Sequence, residues 1–340
     1  MRALIEALCS PACNGRAAGS PGGLAAKKLL LEAFRAAGGE PVEQAIPGCQ
    51  GANILVPFRA KGPLADRWVV VGAHYDHLGH HGGQTFFGAD DNAAAVAMVV
   101  EVARSLAAAP PEGRSVLVIA FDGEEPPHFL SENMGSEYFA QHPTVPLTQI
   151  DFMFCLDLVG HALGPAGLPP QVRSSFFVLG AERSEGTEAR LGAIAVDGAV
   201  ARLVDAEVVS PMSDYHAFWK AKVPFAFLTC GRWAHYHRPT DTPDRLDYPK
   251  IAATAKWLEQ ATRDTARRPE PTIRFTNAVN DASTLRSLIE LMSAIAAVSP
   301  LVAEPLARAK QLLTTCDAKG QCPQRQTVLR LVAEIEGVLA

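Results

Sequence analysis

Acidic and imidazole side chains follow several apolar segments of this sequence at the points where those segments end. Residues 68–71 are bulky and largely β-branched, which is typical of a strand buried on both faces, and they lead into a histidine and an aspartate. Two later apolar segments, 114–121 and 151–158, deliver carboxylates in the same way. Another aspartate precedes a helix predicted over 93–106, where the macrodipole favours a carboxylate. The side chains concerned are His74, Asp76, Asp91, Glu124, Glu125 and Asp157.

This combination of side chains predicts a metal site that assists hydrolysis. The carboxyl ends of strands in an open α/β sheet meet at one edge, so the groups should lie close together. Imidazole with carboxylate suits Zn²⁺, with Co²⁺ or Mn²⁺ as replacements. Glu124 and Glu125 are adjacent and point in different directions, so one could bind metal while the other reaches a metal-activated water. Tyr236 and His237 follow a further predicted strand, 224–229, after a polar loop.

Six motifs together resemble the zinc-dependent exopeptidases that comprise bacterial di-zinc aminopeptidases and, as a divergent branch, glutaminyl cyclases. The resemblance covers roughly residues 15–262. The motifs are His-Tyr-Asp (74–76), Gly-Ala-Asp-Asp-Asn-Ala (88–93), Asp-Gly-Glu-Glu (122–125), Leu-Asp-Leu-Val-Gly (156–160), Ser-Asp-x-x-x-Phe (213–218) and Tyr-His-x-Pro-x-Asp-Thr (236–242).

The resemblance implies a role for each matching residue. Asp91 would bridge two zinc ions, His74 and Asp157 would complete one metal site, and Glu125 and His237 the other. Glu124 would be the general base, and the Tyr236 hydroxyl would stabilise the developing oxyanion. Asp76 would hold the His74 imidazole in its tautomer. Further residues are interpreted more locally: Asp90 and Asp241 as loop or cap carboxylates, and His77 and His161 as neighbours of the site or its pocket.

Two activities within this family remain open from the sequence. The loop after the glutamates is long and begins with Pro126-Pro127, and Phe-Asp-Gly precedes the glutamates, as in glutaminyl cyclases. Tyr236 and the Gly-Ala-Asp-Asp-Asn-Ala motif are instead similar to aminopeptidases. We therefore expect an aminopeptidase in which a water bridging two zinc ions attacks an N-terminal peptide bond. The alternatives are a glutaminyl cyclase with one zinc ion, a non-catalytic binding protein, and a carboxypeptidase or an amidohydrolase of small molecules.

The composition limits the possible partners. The formal net charge is −5 and no basic stripe occurs, so a nucleic-acid partner is not expected. No apolar run reaches the roughly 18 residues that span a bilayer, and no membrane partner is expected. The N-terminal segment lacks an apolar signal-peptide core. The location is left open: cytoplasmic for the chain as written, exported if a signal peptide has been removed. A peptide or a small aminoacyl compound is the expected substrate, and the oligomeric state is left open.

The strand and helix pattern predicts an α/β fold, a three-layer α/β/α sandwich around a mixed, mostly parallel sheet. A helix is predicted over 186–203. After the Pro/Arg-rich stretch 267–271 the pattern is purely helical, with helices near 281–297, 300–315 and 324–339. We therefore predict a catalytic domain over 1–266 and a helical C-terminal appendage over 267–340, which could prop the domain, cap the substrate groove or mediate dimerisation. Cys316 and Cys322 flank a turn in this appendage and could be bridged or free.

Overall fold

A computed structural model describes residues 1–339. Its centre is a sheet of eight strands, with a separate two-stranded hairpin beside it. The apolar segments that the sequence marks as buried strands form the middle of this sheet, and every residue of three of these strands is buried. In chain order the strands are β1 (Val42–Ile46), β2 (Gly51–Phe58), β3 (Trp68–His74), β4 (Gly79–His81), β5 (Gln84–Phe86), β6 (Ser115–Phe121), β7 (Ile150–Leu156), β8 (Ser175–Leu179), β9 (Val200–Val204) and β10 (Phe225–Thr229).

The strand order of the sheet is β1-β2-β6-β3-β7-β10-β8-β9. The four central strands β6, β3, β7 and β10 are parallel to one another, whereas β2 and β8 run antiparallel to their inner neighbours. In the register, His74 lies opposite Phe121 of β6, and Leu156 lies opposite Leu228 of β10. The carboxyl ends of β3, β6, β7 and β10 therefore meet at one edge, as the sequence predicts.

Helices cover both faces of the sheet, which confirms the predicted three-layer fold. Alternate residues of β3 serve the two faces: Val69 and Val71 pack on one side, and Trp68 and Val70 on the other. In chain order the helices are α1 (Arg2–Leu8), α2 (Pro21–Ala36), α3 (Ala94–Ala108), α4 (Gly135–Gln141), α5 (Pro170–Arg173), α6 (Thr187–Gly192), α7 (Tyr215–Lys220), α8 (Tyr248–Ala266), α9 (Asp281–Ala296), α10 (Ala303–Leu313) and α11 (Arg325–Leu339).

The three C-terminal helices are close to their predicted positions, and the first of them packs against the edge of the sheet. Helix α9 lies along the edge strand β9, where the Ser287 hydroxyl donates to the carbonyl of Leu203 over 2.6 Å. The backbone N–H of Asp205 donates to the Thr284 hydroxyl over 2.9 Å. These bonds satisfy backbone groups that an edge strand would otherwise leave exposed. The division into two domains at residue 266 stays a prediction.

The helix predicted over 186–203 is wrong. Only Thr187–Gly192 is helical, and the chain then turns at Gly198 (φ +84°) into the strand β9. Val200–Val204 pairs with β8, and this pairing overrides the weak helical preference of an Ala-, Gly- and Val-rich stretch.

Two further points concern the cysteines and the helices. Within residues 1–339 the seven cysteines, Cys316 and Cys322 among them, are free thiols. In the same part of the chain, none of the helices combines the length and the apolar character needed to cross a bilayer.

Candidate metal centre

Three residues that the sequence predicts from separate segments form a first set of donor atoms. His74 is the last residue of β3, Asp157 follows β7, and Asp91 lies in the short turn Ala89–Ala93 before α3. The Nε2 atom of His74 lies 3.5 Å from Oδ1 of Asp91 and 3.5 Å from Oδ1 of Asp157. All three side chains are buried.

A second set of donors shares Asp91 with the first. The Nε2 atom of His237 lies 3.2 Å from Oδ2 of Asp91 and 3.2 Å from Oε2 of Glu125. The two oxygens of Asp91 therefore face two different imidazoles. His237 has a φ of +53°, a left-handed conformation that is uncommon for a residue other than glycine and that directs the ring toward these carboxylates.

The spacing of both sets fits zinc. Two donors bound at about 2.1 Å from one ion at a tetrahedral angle lie about 3.4 Å apart, and the four distances observed are 3.2–3.5 Å. Imidazole and carboxylate donors are also the chemistry that zinc accepts. The donors would leave open positions at each ion, which is typical of a catalytic site rather than a structural one.

The turn that carries Asp91 is held by a glycine and by a second aspartate. Gly88 has a φ of +57°, and a Cβ there would lie 2.1 Å from the Asp91 carbonyl and 2.5 Å from the His77 ring, so only glycine fits. The Asp241 carboxylate accepts the backbone N–H of Asp90 over 2.9 Å and that of Asp91 over 3.1 Å. Asp241 is thus a local cap carboxylate, as predicted from the sequence.

Asp76 holds the two glutamates through their backbone. Its Oδ1 accepts the N–H of Glu124 over 3.0 Å, and its Oδ2 accepts the N–H of Glu125 over 3.1 Å. The sequence predicts a contact with the His74 imidazole instead. Nδ1 of His74 does lie 3.6 Å from the Asp76 carboxylate, but its nearer partner is the Asp76 carbonyl at 3.3 Å. Fixing the Glu124–Glu125 turn is therefore a task of Asp76 that the sequence did not indicate.

His77 holds the carboxylate of Glu125. Its Nδ1 lies 2.8 Å from Oε1 of Glu125, which leaves Oε2 directed at His237. Nε2 of His77 is buried and has no hydrogen-bond partner among the described residues. His77 also lies close enough to Asp91 and Glu125 to form a possible metal-binding group with them. Its place beside the site agrees with the expectation from the sequence.

Several buried acids lie close together at the first set of donors, and this raises their pKa values. Burial raises the pKa of Glu124 well above its usual range; His74 opposes this shift, while Asp157 and Glu125 add to it. Burial raises the pKa of Asp157 to about 6, against the lowering effect of His74. A bound cation would counteract both shifts, so this concentration of acids is consistent with a cation site.

The pKa shifts in the second set are different, because its acids and imidazoles pair closely. Burial would lower the pKa of His237, but the nearby Asp91 and Glu125 raise it to about 10. Burial alone would raise the pKa of Glu125. Hydrogen bonding to His237 and His77 instead brings this pKa well below its usual value. In the metal-free protein His237 is therefore protonated, and its positive charge interacts with the carboxylates of Asp91 and Glu125.

Tyr236 lies against this second set. Its ring stacks on the His237 ring with centroids 3.9 Å apart, and the Arg232 guanidinium lies 5.0 Å from its centroid. Burial, followed by the charges of Asp91 and Asp157, raises the pKa of the Tyr236 phenol. The hydroxyl therefore stays protonated and remains a hydrogen-bond donor.

Arg16 is a residue of this region that the sequence did not indicate. It is fully buried, and its Nε donates to the Tyr75 carbonyl over 2.7 Å. Its two terminal nitrogens donate to the carbonyls of Phe87, Gly88 and Asp91. Arg16 thus joins the end of β3 to the turn that carries Asp91. Because all its acceptors are backbone carbonyls, no side-chain pattern could have revealed it.

Asp214 is the second residue without a predicted role, although it belongs to the Ser-Asp-x-x-x-Phe motif. Its side chain is buried, and neither carboxylate oxygen accepts a hydrogen bond from any other residue in the described part of the chain. Burial raises the pKa of Asp214 to about 7 against the opposing effect of His74, and its charge in turn raises that of Glu124. The charge of Asp214 therefore acts on the candidate base Glu124.

Two other polar residues support the loop after β7. Asp90 accepts the N–H groups of Gly160 and His161 through Oδ1, and its Oδ2 lies 2.7 Å from Nδ1 of His161. The His161 ring stacks on Trp233 with centroids 4.7 Å apart. Asp90 thus fixes a loop rather than joining the donor sets, as expected from the sequence.

Buried imidazole and carboxylate donors at the carboxyl edge of an open α/β sheet are typical of a metalloenzyme. The chain belongs to Peptidase family M28, whose profile matches residues 53–262, more than half of its length. It is 30% identical over 250 residues to the uncharacterized protein YfbL of Escherichia coli K12, an alignment that covers 66% of this chain and 75% of YfbL. The resemblance inferred from the motifs is confirmed.

Solved structures with this fold include an aminopeptidase and a glutaminyl cyclase, the two kinds of enzyme between which the sequence did not decide. A leucine aminopeptidase precursor from Bacteroides thetaiotaomicron is 18% identical with a TM-score of 0.59, over 77% of this chain and 95% of that one. A glutaminyl cyclase from Porphyromonas gingivalis is 19% identical with a TM-score of 0.58, over 78% of this chain and 96% of that one. At these identities the similarity shows the fold, and it does not choose between the activities.

Proposed function

We propose that this member of family M28 is a metal-dependent aminopeptidase that uses two zinc ions. The observation that carries the proposal is the position of Asp91, whose two carboxylate oxygens lie 3.5 Å and 3.2 Å from the Nε2 atoms of His74 and His237. Asp157 completes the first donor set and Glu125 the second. Two complete sets that share one carboxylate favour two ions over one.

The metal ions would act as Lewis acids and lower the pKa of the attacking water. The protein supplies the remaining steps. Glu124 has no predicted ligand role, and its neighbour Glu125 is held by His77 and His237. Glu124 is therefore free to take a proton from the water and to pass it to the leaving amine. The Tyr236 hydroxyl donates a hydrogen bond to the substrate oxygen on which negative charge develops.

A glutaminyl cyclase is the second candidate. It is favoured by the loop between Glu125 and α4, which exposes the apolar side chains of Phe129 and Leu130. It is also favoured by Asp214, a buried acid without a hydrogen-bond partner among the described residues, whose charge acts on Glu124 and which could share the proton that a cyclase moves within its substrate. In that reaction no water attacks, and one zinc ion would be sufficient.

The decisive experiment combines metal analysis with substrates for both reactions. We expect about two zinc ions per chain and release of nitroaniline from aminoacyl-4-nitroanilides. Glu124→Gln preserves the shape of the side chain and removes the base, so kcat should fall by about 10²–10⁴-fold. Glu132→Gln, an exposed residue of the following loop, is the matched control. One zinc ion per chain with pyroglutamate formed from a Gln-peptide would instead assign the cyclase reaction, and full activity of Glu124→Gln would refute the role of the base.

A further inference from the structure

Lys250, in the first turn of α8, is a buried lysine that contacts a cysteine instead of a carboxylate. It is 2% exposed, and its Nζ donates a hydrogen bond to the His161 carbonyl over 2.7 Å. Its other partner within residues 1–339 is Sγ of Cys230, at 3.0 Å. Lysines are rarely buried unless they are paired with another group. The Cys230 sulfur is the side-chain atom that completes the surroundings of this amine.

Cys230 follows β10 directly and is held in place by its backbone. Its N–H donates to the Leu158 carbonyl over 2.8 Å, and its side chain is buried. Burial raises the pKa of the Cys230 thiol, and the charge of Lys250 acts against this shift. Within residues 1–339, Cys230 is the one cysteine that accepts a hydrogen bond from a lysine. The neighbouring amine, rather than an unusually acidic thiol, therefore distinguishes this cysteine from the other six.

A cavity gives small molecules access to this pair. It has a volume of about 80 Å³ and is lined by Thr229, Cys230 and Gly231, together with apolar side chains of α9 and α11. A cavity can hold a water molecule once about 10–15 Å³ is available to it. The space beside Cys230 is therefore large enough for hydrogen peroxide, a small uncharged oxidant.

We propose that hydrogen peroxide converts this pair into a covalent sulfur–nitrogen bridge between Cys230 and Lys250. In the first step the thiolate sulfur attacks a peroxide oxygen, the O–O bond breaks, and the Lys250 ammonium protonates the leaving hydroxide to water. The sulfur is oxidised by two electrons to a sulfenic acid, and the peroxide is reduced. In the second step the neutral amine attacks the sulfur and the S–O bond breaks. The departing hydroxide takes a proton from the amine and leaves as a second water.

The bridge needs no group beyond those two side chains and the peroxide. Sulfenic acids condense with a backbone nitrogen in the same way, and here a side-chain nitrogen lies 3.0 Å from the sulfur. The product has no positive charge at Lys250 and joins the start of α8 to the end of β10. Neither residue is a proposed metal ligand or base, so the reaction does not depend on whether the enzyme is an aminopeptidase or a cyclase.

The test is peptide mapping of oxidised protein. Zinc-loaded protein would be treated with hydrogen peroxide, alkylated at its remaining thiols and digested with trypsin without a reducing agent. Trypsin cleaves after lysine and arginine, so the bridge should join peptides 223–232 and 246–256 and prevent cleavage after Lys250. The joined mass should be about 2 Da below the sum of the two peptides, because two hydrogen atoms are lost. Dithiothreitol should separate the peptides and restore cleavage after Lys250.

Two variants and an unfolded sample are the controls. Lys250→Arg keeps the charge but has a poorly nucleophilic guanidinium, and Cys230→Ser removes the sulfur, so neither should give joined peptides. Wild-type protein unfolded in urea should not form the bridge either, and this control does not require a variant to fold. Oxidation of Cys316, the cysteine that is not fully buried, verifies that enough peroxide was present.

Three results would overturn the inference. The first is oxidation of Cys316 while Cys230 remains a thiol. The second is Cys230 recovered as a sulfinic acid in protein that trypsin still cleaves after Lys250. The third is a bridge that forms equally well in urea, since it would then not depend on the 3.0 Å contact of the folded protein.

Discussion

Arg16 donates a hydrogen bond to the backbone carbonyl of Asp91, with Nη2 and O 3.1 Å apart, across 75 residues of sequence. The same side chain binds the carbonyl of Tyr75, which follows His74 directly. Arg16 therefore fixes two of the proposed zinc ligands relative to each other without contacting a metal. Mutating a residue that positions a metal ligand typically lowers metal affinity by about 10–100-fold.

We predict that Arg16→Lys weakens zinc binding by about 10–100-fold. A lysine ammonium lacks the planar fork of the guanidinium, so it cannot reach the carbonyls of Tyr75, Gly88 and Asp91 together. Competition with a chromogenic chelator would measure the affinity. Arg35→Lys, at an exposed position of α2, should bind zinc as the wild type does. Wild-type affinity in Arg16→Lys would show that the turn is held by other contacts.

We predict that catalysis needs the ionised carboxylate of Asp76, because both of its oxygens accept hydrogen bonds. In Asp76→Asn one carboxamide oxygen can still accept an N–H, but the NH₂ group would face the other N–H of the Glu124–Glu125 turn. We expect kcat to fall by about 10–100-fold with a smaller change in KM, because the base is displaced while the substrate pocket is intact. Steady-state kinetics would separate the two parameters, with the exposed Asp66→Asn as control. A change in KM alone would contradict this role.

Zinc binding should release protons, and the number of protons released should be smaller at high pH. In the metal-free protein the pKa of His237 is raised to about 10, so at pH 7 its proton must leave before the ring can bind zinc. Calorimetry in buffers of different ionisation enthalpy would count the protons released. The affinity for zinc should rise with pH up to about pH 10. His237→Gln should release fewer protons, whereas His235→Gln in the same loop should not differ from wild type.

The same raised pKa predicts how metal-free protein responds to pH. A folded-state pKa above the unfolded value of about 6.5 means that the folded state holds the extra proton between the two values. The stabilisation by the His237 imidazolium is therefore complete below about pH 6.5 and is lost as the pH rises through about 10. Urea unfolding in the presence of a chelator at pH 6, 8 and 10 would test this, since His237→Gln should remove that part of the dependence.

Arg325 at the start of α11 should stabilise the contact between the C-terminal helices and the sheet. It lies 2.8 Å from the Asp205 carboxylate and 3.0 Å from that of Glu207, and it also pairs with Asp281. Because Asp205 and Asp281 are buried, Arg325→Gln leaves them without a cation and should reduce the free energy of unfolding by about 2 kcal/mol. Denaturant unfolding would measure this loss. Arg308→Gln breaks pairs with exposed glutamates and should cost under about 1 kcal/mol.

The sequence was most informative where an apolar run ends abruptly in a polar group. His74, Glu124 and Asp157 could be placed at one sheet edge because each lies at or shortly after the end of a fully buried strand, and parallel strands bring such ends together. The helix predicted over 186–203 was wrong because the Ala-, Gly- and Val-rich stretch has only a weak helical preference, and the pairing with β8 decided the outcome.

Other features depend on contacts that leave no pattern in the chain. Arg16 binds carbonyl groups, which every residue carries. The hydrogen bonds of Asp76 to the Glu124–Glu125 turn likewise involve backbone N–H groups. An apolar cavity is lined by residues of α11 and of the end of β10, and the packing of a terminal helix cannot be read from its amphipathic pattern alone.

The separation of the site residues along the chain has a consequence for folding. Arg16, Asp91, Asp157 and His237 come from widely spaced segments, so the site depends on contacts of high sequence separation. Such contacts form slowly, because long loops must close before they gain any interaction energy. The four segments therefore cannot assemble until most of the sheet has formed. Recovery of high-affinity zinc binding during refolding would thus report the last stage of folding, later than the recovery of helical circular dichroism.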